Sequence, residues 1–387
     1  MNVFELDKQY IANTYARFPL QLVKGHGSLV YDEQGKEYID LATGIAVNAF
    51  GIGDEEWKNA VWEQLCKIQH TSNLYYNEPC ALLAEALCNR TGMKKVFFSN
   101  SGAEANECAI KVARKYGEIK KGKEYYTVVT LKNSFHGRTI TTLSATGQDV
   151  FHQHFTPMTE GFAYASVNDI AEMETIVKTQ KCCAIMIEVV QGEGGVMALD
   201  KEYVTALASL AKKEDLLLIV DEVQTGNGRC GTLYGYMQYD VTPDVVTTAK
   251  GLGGGLPIGA TMLGGKVKDL FTPGMNGSTF GGNPVCSAGA LSILNRIDET
   301  LLQEVREKSA YIFSQLANAK GVKSVSGLGL MIGIETEKDS SEILKKCMDK
   351  GVLVIKAKQK LRLLPALNIP METLKKAVEI IKEVIAE

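Results

Sequence analysis

The sequence has almost no excess of either charge: 42 Lys and Arg face 45 Asp and Glu, a net charge of −3 with the five histidines neutral. That balance excludes a nucleic-acid binder built on a broad basic surface. It also lacks any C-x-x-C pair, and its nine cysteines are scattered and odd in number. Neither a zinc ribbon nor a closed disulfide framework is expected, and a reducing, cytoplasmic setting fits. No apolar run approaches the roughly 18 residues needed to span a bilayer. The opening MNVFELDKQY has no basic block followed by an apolar one, so neither a membrane partner nor export is expected. His152 and His154 have no carboxylate or cysteine at metal spacing, and no metal site is expected there. What is present is ordinary: 387 residues, 45% apolar and 22% charged, enough for a sizeable core in two or three domains or one large enzyme body.

Short apolar runs at 96–100, 126–131, 183–190, 216–222 and 244–249 alternate with helix-period segments such as 201–214, where Tyr203, Leu207 and Leu210 recur. This alternation predicts an α/β body with a mainly parallel sheet. From about 286 the texture becomes long amphipathic helices (286–297, 300–319, 340–350, 371–386) around short strands at 329–335, 352–356 and 361–364. The expected organisation is an arm over 1–45 with a turn at Gln34-Gly35, a large domain over 46–285, and a smaller α+β domain over 286–387.

Three stretches carry chemistry. In D-V-V-T-T-A-K-G-L-G-G-G-L-P-I-G, Lys250 follows a β-branched run and precedes Gly251, Gly253, Gly254 and Gly255. Glycines there permit close approach by a ligand, and a lysine drawn into such a site acts as nucleophile or base; the bland alternative is a loop lysine. In L-L-L-I-V-D-E-V-Q-T-G, Asp221 ends an apolar strand, where α/β sheets bind ligands. Beside a pyridine ring it would keep the ring nitrogen protonated, an attraction of about 4 kcal/mol at roughly 4 Å and an effective dielectric near 20; otherwise it is a solvated strand end or a cap. In V-F-F-S-N-S-G-A-E-A-N-E, Ser101 and Glu104 form a capping box ahead of a stripe of Ala105, Cys108, Ala109, Val112, Ala113 and Tyr116. Gly102 and Ala103 in its first turn leave N–H groups free for a phosphate, although most such boxes only cap core helices.

These stretches, with F-H-G-R-T at 135–139, D-E-V-Q-T-G at 221–226 and G-S-T-F-G-G-N-P at 277–284, together resemble the class III aminotransferases from about residue 20 into the C-terminal domain. The resemblance implies a fold-type I transferase with pyridoxal phosphate attached at Lys250. It also implies that Asp221 pairs with the ring nitrogen, Phe135 and Val223 cover the two ring faces, and Gln224 lies near the ring hydroxyl. Gly102 and Ala103 would hold the phosphate together with Thr279 from a partner subunit, making a homodimer. Arg138 and Arg362 become carboxylate clamps, Glu193 a switch that pairs with Arg362, and Ser278 a substrate contact. The implied reaction moves a terminal amine, such as that of N-acetylornithine, to 2-oxoglutarate; ornithine, succinyl-diaminopimelate and 4-aminobutyrate are alternative donors.

The chain departs from the family at F-G-I-G-D-E-E-W, 50–57, where relatives carry G-H-x-H-P, and at Cys230. Two competing motifs are set aside. Gly226, Gly228 and Gly231 match a dinucleotide fingerprint, but a poor phosphate-capping helix follows. The P-loop-like run from Gly117 to Lys123 lacks the Ser or Thr for magnesium and reads as an exposed basic turn.

Overall fold

The computed structural model describes residues 2–387. Its β-rich runs become a seven-stranded sheet in the order Lys95–Ser99, Gly259–Leu263, Val245–Thr248, Leu217–Asp221, Cys182–Ile187, Thr127–Leu131, Phe162–Ala165. The five strands from Val245–Thr248 to Phe162–Ala165 pair in parallel. Gly259–Leu263 runs antiparallel to both of its neighbours. Every residue of Thr127–Leu131, Cys182–Ile187 and Leu217–Asp221 is buried, as continuous aliphatic runs in a sheet covered on both faces should be. Full burial of one such Val, Ile or Leu contributes roughly 1.5–3 kcal/mol.

The apolar stripe on the helix Gly102–Lys121 buries Cys108, Ala109, Val112 and Ala113 against Val128, Ala184, Leu217 and Val245 of this sheet. The helix runs closer to the sheet than its sequence suggests. Gly117 is buried in it, and a Cβ there would lie 2.0 Å from the Tyr125 carbonyl oxygen. The expected basic turn is the end of this helix, with Gly122 as its C-cap, and Lys120 and Lys123 are exposed as expected.

The N-terminal strands Leu22–His26, Leu29–Asp32 and Glu37–Asp40 form a meander, with the Gly35 N–H donating to the Asp32 carbonyl in the turn. Its fourth strand, Val352–Leu353, comes from the far end of the chain and pairs in parallel with Glu37–Asp40. A further sheet in the order Val322–Leu328, Met331–Thr336, Lys360–Leu363, Ile355–Ala357 carries Arg362, backed by the helices Glu299–Leu316, Ser340–Asp349 and Met371–Ala386. The strands at Phe162–Ala165, Gly259–Leu263 and Val322–Leu328 were not expected, being rich in alanine, glycine or serine, residues that carry little strand signal. The expected strand 352–356 is two short strands, one in each of two sheets.

The departure at 50–57 has a structural use. Asp54 caps the helix Glu55–Lys67 and pairs with Arg296 at 2.8 Å, while the Trp57 indole N–H donates to the Gly253 carbonyl at 3.0 Å. It braces the loop that follows Lys250. Gly226–Gly231 forms consecutive turns and opens no helix, and the Arg229 within it is buried, its guanidinium on the carbonyls of Leu330 and Pro365.

Candidate active site

The carboxyl ends of the parallel strands converge on one cavity of about 480 Å³. Its lining includes Gly102, Ala103, Phe135, Arg138, Asp221, Val223, Gln224 and Lys250, so eight residues singled out in sequence, from four separate segments, meet there. Each arrives by a local mechanism. Lys250 directly follows the strand Val245–Thr248 and Ala249, with φ at +46°, a left-handed conformation uncommon for a residue with a side chain. Burial pushes the Lys250 ammonium below its usual range, with Glu193 opposing and Arg362 assisting. A lysine so placed holds its proton loosely.

Asp221 terminates its strand and is 3% exposed. Its Oδ1 accepts from the Val223 N–H at 3.0 Å; its Oδ2 accepts from the Asn106 amide at 2.7 Å and meets His136 Nδ1 at 2.8 Å. Asn106 in turn donates to the His136 carbonyl and accepts from Thr247. Burial opposes the charged imidazole, yet the hydrogen bond and charge of Asp221 leave the His136 pKa raised. Sequence reasoning missed Asn106 and His136, although both sit inside the quoted motifs. The available signal was a polar residue at position 106, on the helix face where its neighbours Ala105, Cys108 and Ala109 are apolar.

The helix start differs in detail from a capping box. Ser101 Oγ accepts from the Glu104 N–H at 3.2 Å, but the Glu104 carboxylate accepts from the N–H of Asn100, at 2.7 Å, one residue earlier than the motif requires. The N–H groups of Gly102 and Ala103 take no partner among the described residues, and both residues line the cavity. A Cβ at Gly102 would lie 2.6 Å from Val223 Cγ1, so only glycine lets the helix start approach Val223 this closely.

Two arginines lie around this cavity in different states. The Arg138 guanidinium rests over the Phe151 ring at 4.1 Å, with Phe135 at 5.5 Å, and forms no ion pair among the described residues. Arg362 is 2% exposed; its Nη1 donates to Glu193 at 2.6 Å and to Gln224 Oε1 at 3.0 Å. Burial works against the Glu193 charge, but Arg362 wins and holds its carboxyl below the usual range. Gln224 thus joins Arg362, a pairing that the sequence did not suggest. Ser278 and Thr279 lie on a neighbouring loop outside the cavity lining. The Ser278 hydroxyl accepts from Asn100 Nδ2 at 3.1 Å and Thr279 is exposed.

A lysine with a weakened proton, a buried carboxylate, an aromatic face and a glycine-bearing helix start around one cavity are the fittings of a pyridoxal-phosphate enzyme. The family model for class III aminotransferases matches residues 10–385. The chain belongs to the class III aminotransferases. The aminotransferase is 50% identical over 385 residues to the acetylornithine aminotransferase of Haemophilus ducreyi, covering 99% of this chain and 98% of that one. It is 41% identical to the acetylornithine aminotransferase of Methanocaldococcus jannaschii, covering 100% and 98%. Among solved structures it matches the ornithine aminotransferase of Toxoplasma gondii at 30% identity and a TM-score of 0.95, covering 99% of this chain and 94% of that one. It also matches the N-acetylornithine aminotransferase of Stenotrophomonas maltophilia at 34% identity and a TM-score of 0.84, covering 99% and 98%.

The cofactor of this aminotransferase is pyridoxal phosphate, and the residues present fit it. The unpartnered N–H groups at Gly102 and Ala103 suit a phosphate, the exclusion of any Cβ at Gly102 keeps that approach open, and Asp221 is a buried carboxylate on the same cavity. No helix among the described residues is long and apolar enough to cross a membrane.

Proposed function

We propose that the enzyme transfers the terminal amine of N2-acetyl-L-ornithine to 2-oxoglutarate, giving N-acetylglutamate 5-semialdehyde and glutamate, a step of arginine biosynthesis carried out in the cytoplasm. The observation that carries this reading is the contrast between the two arginines: Arg138 free of any ion pair among the described residues, and Arg362 closed by Glu193 at 2.6 Å. With Arg362 closed, one clamp remains, which suits a donor with one carboxylate. When a five-carbon dicarboxylate arrives, Glu193 yields and a second clamp opens. A guanidinium fork serves both states because it binds a carboxylate through two parallel N–H bonds. The apolar part of the cavity lining, Val47, Leu256, Pro257 and Ile258, suits an acylated nitrogen better than a free ammonium.

In this reading Gly102 and Ala103 would hold the cofactor phosphate, Phe135 and Val223 would cover the ring faces, Gln224 would lie near the ring hydroxyl and Asp221 would pair with the ring nitrogen. Bound in this way, the cofactor supplies an electron sink for the carbon losing its proton. Lys250 Nζ would be the attachment point for the cofactor and, once free, the base that takes up the proton of the substrate carbon, a task its lowered pKa favours. Asn106 and His136 hold Asp221 in orientation. Ser278, outside this cavity's lining but next to Thr279, would meet the substrate where that loop reaches in from the partner subunit.

The enzyme acts as a homodimer in which Thr279 of the partner subunit completes the phosphate site. An exposed apolar surface supports this: Leu74, Tyr75, Tyr76 and Phe280 project to solvent beside Thr279, where Asn73 ties the two loops together through the carbonyls of Ser278 and Gly281. A donor panel tests the reaction. The expected result is kcat/KM for N-acetylornithine at least about tenfold above free ornithine and 4-aminobutyrate, a discrimination of about 1.4 kcal/mol; equal values would overturn the acylated-donor reading. Lys250→Ala is expected to leave the protein without borohydride-fixed pyridoxyl label and without turnover, and a labelled, active variant would remove Lys250 from the mechanism.

A further inference from the structure

The stretch 50–57, where the chain departs from the family pattern, ends in a tryptophan that the mechanism above does not use. Trp57 lies in the first turn of the helix Glu55–Lys67 and is half-buried, whereas Trp62 on the same helix is exposed. Its backbone is held from two sides. Asp54 Oδ1 accepts from the Trp57 N–H at 2.9 Å, and Asp54 pairs at 2.8 Å with Arg296, the last residue of the helix Pro284–Arg296. An indole N–H turned away from water needs an acceptor, and this one finds it outside its own helix: Nε1 donates to the Gly253 carbonyl at 3.0 Å.

Gly253 is one hydrogen bond away from the lysine. Its N–H donates to the Lys250 carbonyl at 3.0 Å and closes the tight turn Lys250–Leu252. Its carbonyl also accepts from the Leu256 N–H at 3.2 Å, a partner within the same loop, so Trp57 ties this carbonyl from outside. The indole sits in a slot cut by glycines. A Cβ at Gly254 would lie 3.0 Å from Trp57 Nε1, and one at Gly289, on the helix Pro284–Arg296, would lie 2.9 Å from it. Glycine at 254 therefore serves the tryptophan as well as any ligand, and its φ of +60° is one that glycine adopts without strain. Beyond the slot, Gly255, Leu256, Pro257 and Ile258 line the cavity.

We propose that Trp57 is a positioning residue that fixes the backbone at Lys250 through Gly253, so that the lysine side chain enters the cavity from a single direction. The inference rests on the role proposed above for Lys250, but not on the identity of the amino donor. A left-handed residue with a side chain persists only where its surroundings over-determine it. Lys250, at φ +46°, is held on both sides. Before it, the Asn227 amide donates to Thr248 Oγ1 at 2.9 Å and to the Ala249 carbonyl at 3.3 Å; after it, Trp57 holds Gly253. Without the indole N–H the second hold goes, the glycine run gains freedom, and Nζ faces its target in a smaller fraction of its conformations. Such a loss falls on the rate at which Nζ reacts and not on substrate binding, because other segments carry Arg138 and Arg362.

The test compares wild type with three variants. Trp57→Phe fills the slot but lacks the donor, Gly289→Ala crowds the indole without touching the lysine loop, and Trp62→Phe is a control on the same helix. Two rates are read. One is capture of pyridoxal phosphate by the apoenzyme, followed by the visible band and assigned to Lys250 by borohydride labelling. The other is the response of the holoenzyme band to L-glutamate, whose concentration dependence separates the limiting rate from half-saturation. Trp57→Phe is expected to slow capture at least about fivefold and to lower the limiting rate at least about tenfold, with half-saturation within about twofold of wild type. Gly289→Ala is expected to slow both at least about threefold, although alanine favours a helix more than glycine does, and it carries the test should Trp57→Phe melt before loading. Both rates within about twofold of wild type in Trp57→Phe, a half-saturation that moves in proportion to the rate, or equal losses in Trp62→Phe would each overturn the positioning. If glutamate leaves the wild-type band unmoved, the acceptor assigned above falls and the capture rate alone decides. A labelled, active Lys250→Ala overturns the lysine assignment, whereas rates indifferent to Trp57 overturn only this inference.

Discussion

At the scale of single residues, function here depends on how burial sets each charge. Arg138 has its charge free and its fork exposed, so Arg138→Lys retains attraction and loses bidentate geometry. KM for carboxylate substrates should rise about tenfold with a smaller change in kcat, as expected for lost binding common to ground and transition states. An unchanged KM for both substrates would exclude the clamp. Glu222 is buried beside Asp221 and accepts from Thr225, Gly235 and Tyr236; burial nevertheless pushes its pKa up to about 7. Its folded pKa lies above the unfolded value near 4.3, so its stabilising contribution is complete below about pH 4.3 and is lost as pH rises through 7, on the order of 3 kcal/mol. Urea unfolding at pH 5 and pH 8 should show wild type losing stability relative to Glu222→Gln at the higher pH; a pH-independent difference would show that Glu222 ionises normally. Lys250, Asp221 and Arg138 were legible as residue types in motif context. Asn106 and His136 were not, since a buried polar side chain is recognised by its partners, which lie 30 or more residues away.

At the scale of elements, the helix Gly102–Lys121 does two jobs. Its stripe fixes it to the sheet, and its first turn presents N–H groups to the cavity. Ser101→Ala removes one cap bond and should cost about 1 kcal/mol in unfolding free energy. Gly102→Ala forces a methyl toward Val223 and should weaken pyridoxal phosphate binding at least about tenfold, measured by equilibrium dialysis of apoenzyme, a loss of about 1.4 kcal/mol. Unchanged affinity would remove the helix start from the phosphate site. The sequence announced this helix, because its cap and its apolar repeat agree. It gave no sign of the antiparallel strand Gly259–Leu263, which follows a glycine cluster and gains its place only by pairing with Lys95–Ser99 and Val245–Thr248.

At the scale of the molecule, the site depends on contacts between segments far apart in the chain. The buried Arg229 donates to the carbonyls of Leu330 and Pro365, three residues beyond Arg362, and burial lowers its pKa to about 10. Arg229→Met leaves two buried carbonyls without donors, at about 1–3 kcal/mol each, and should lower Tm by several degrees; a variant that melts like wild type would show that these bonds add nothing net.

The amino-acid sequence alone determined the α/β character, the family, the lysine and the order of the motifs, because periodicity, caps and glycine placement are local properties. Only the tertiary structure decided that Glu193 closes Arg362, that Gln224 joins them, and that Val352–Leu353 completes the N-terminal meander. Those are encounters between segments brought together by burying a common core, and the spacing of residues along a chain does not encode which distant partner each polar group will meet.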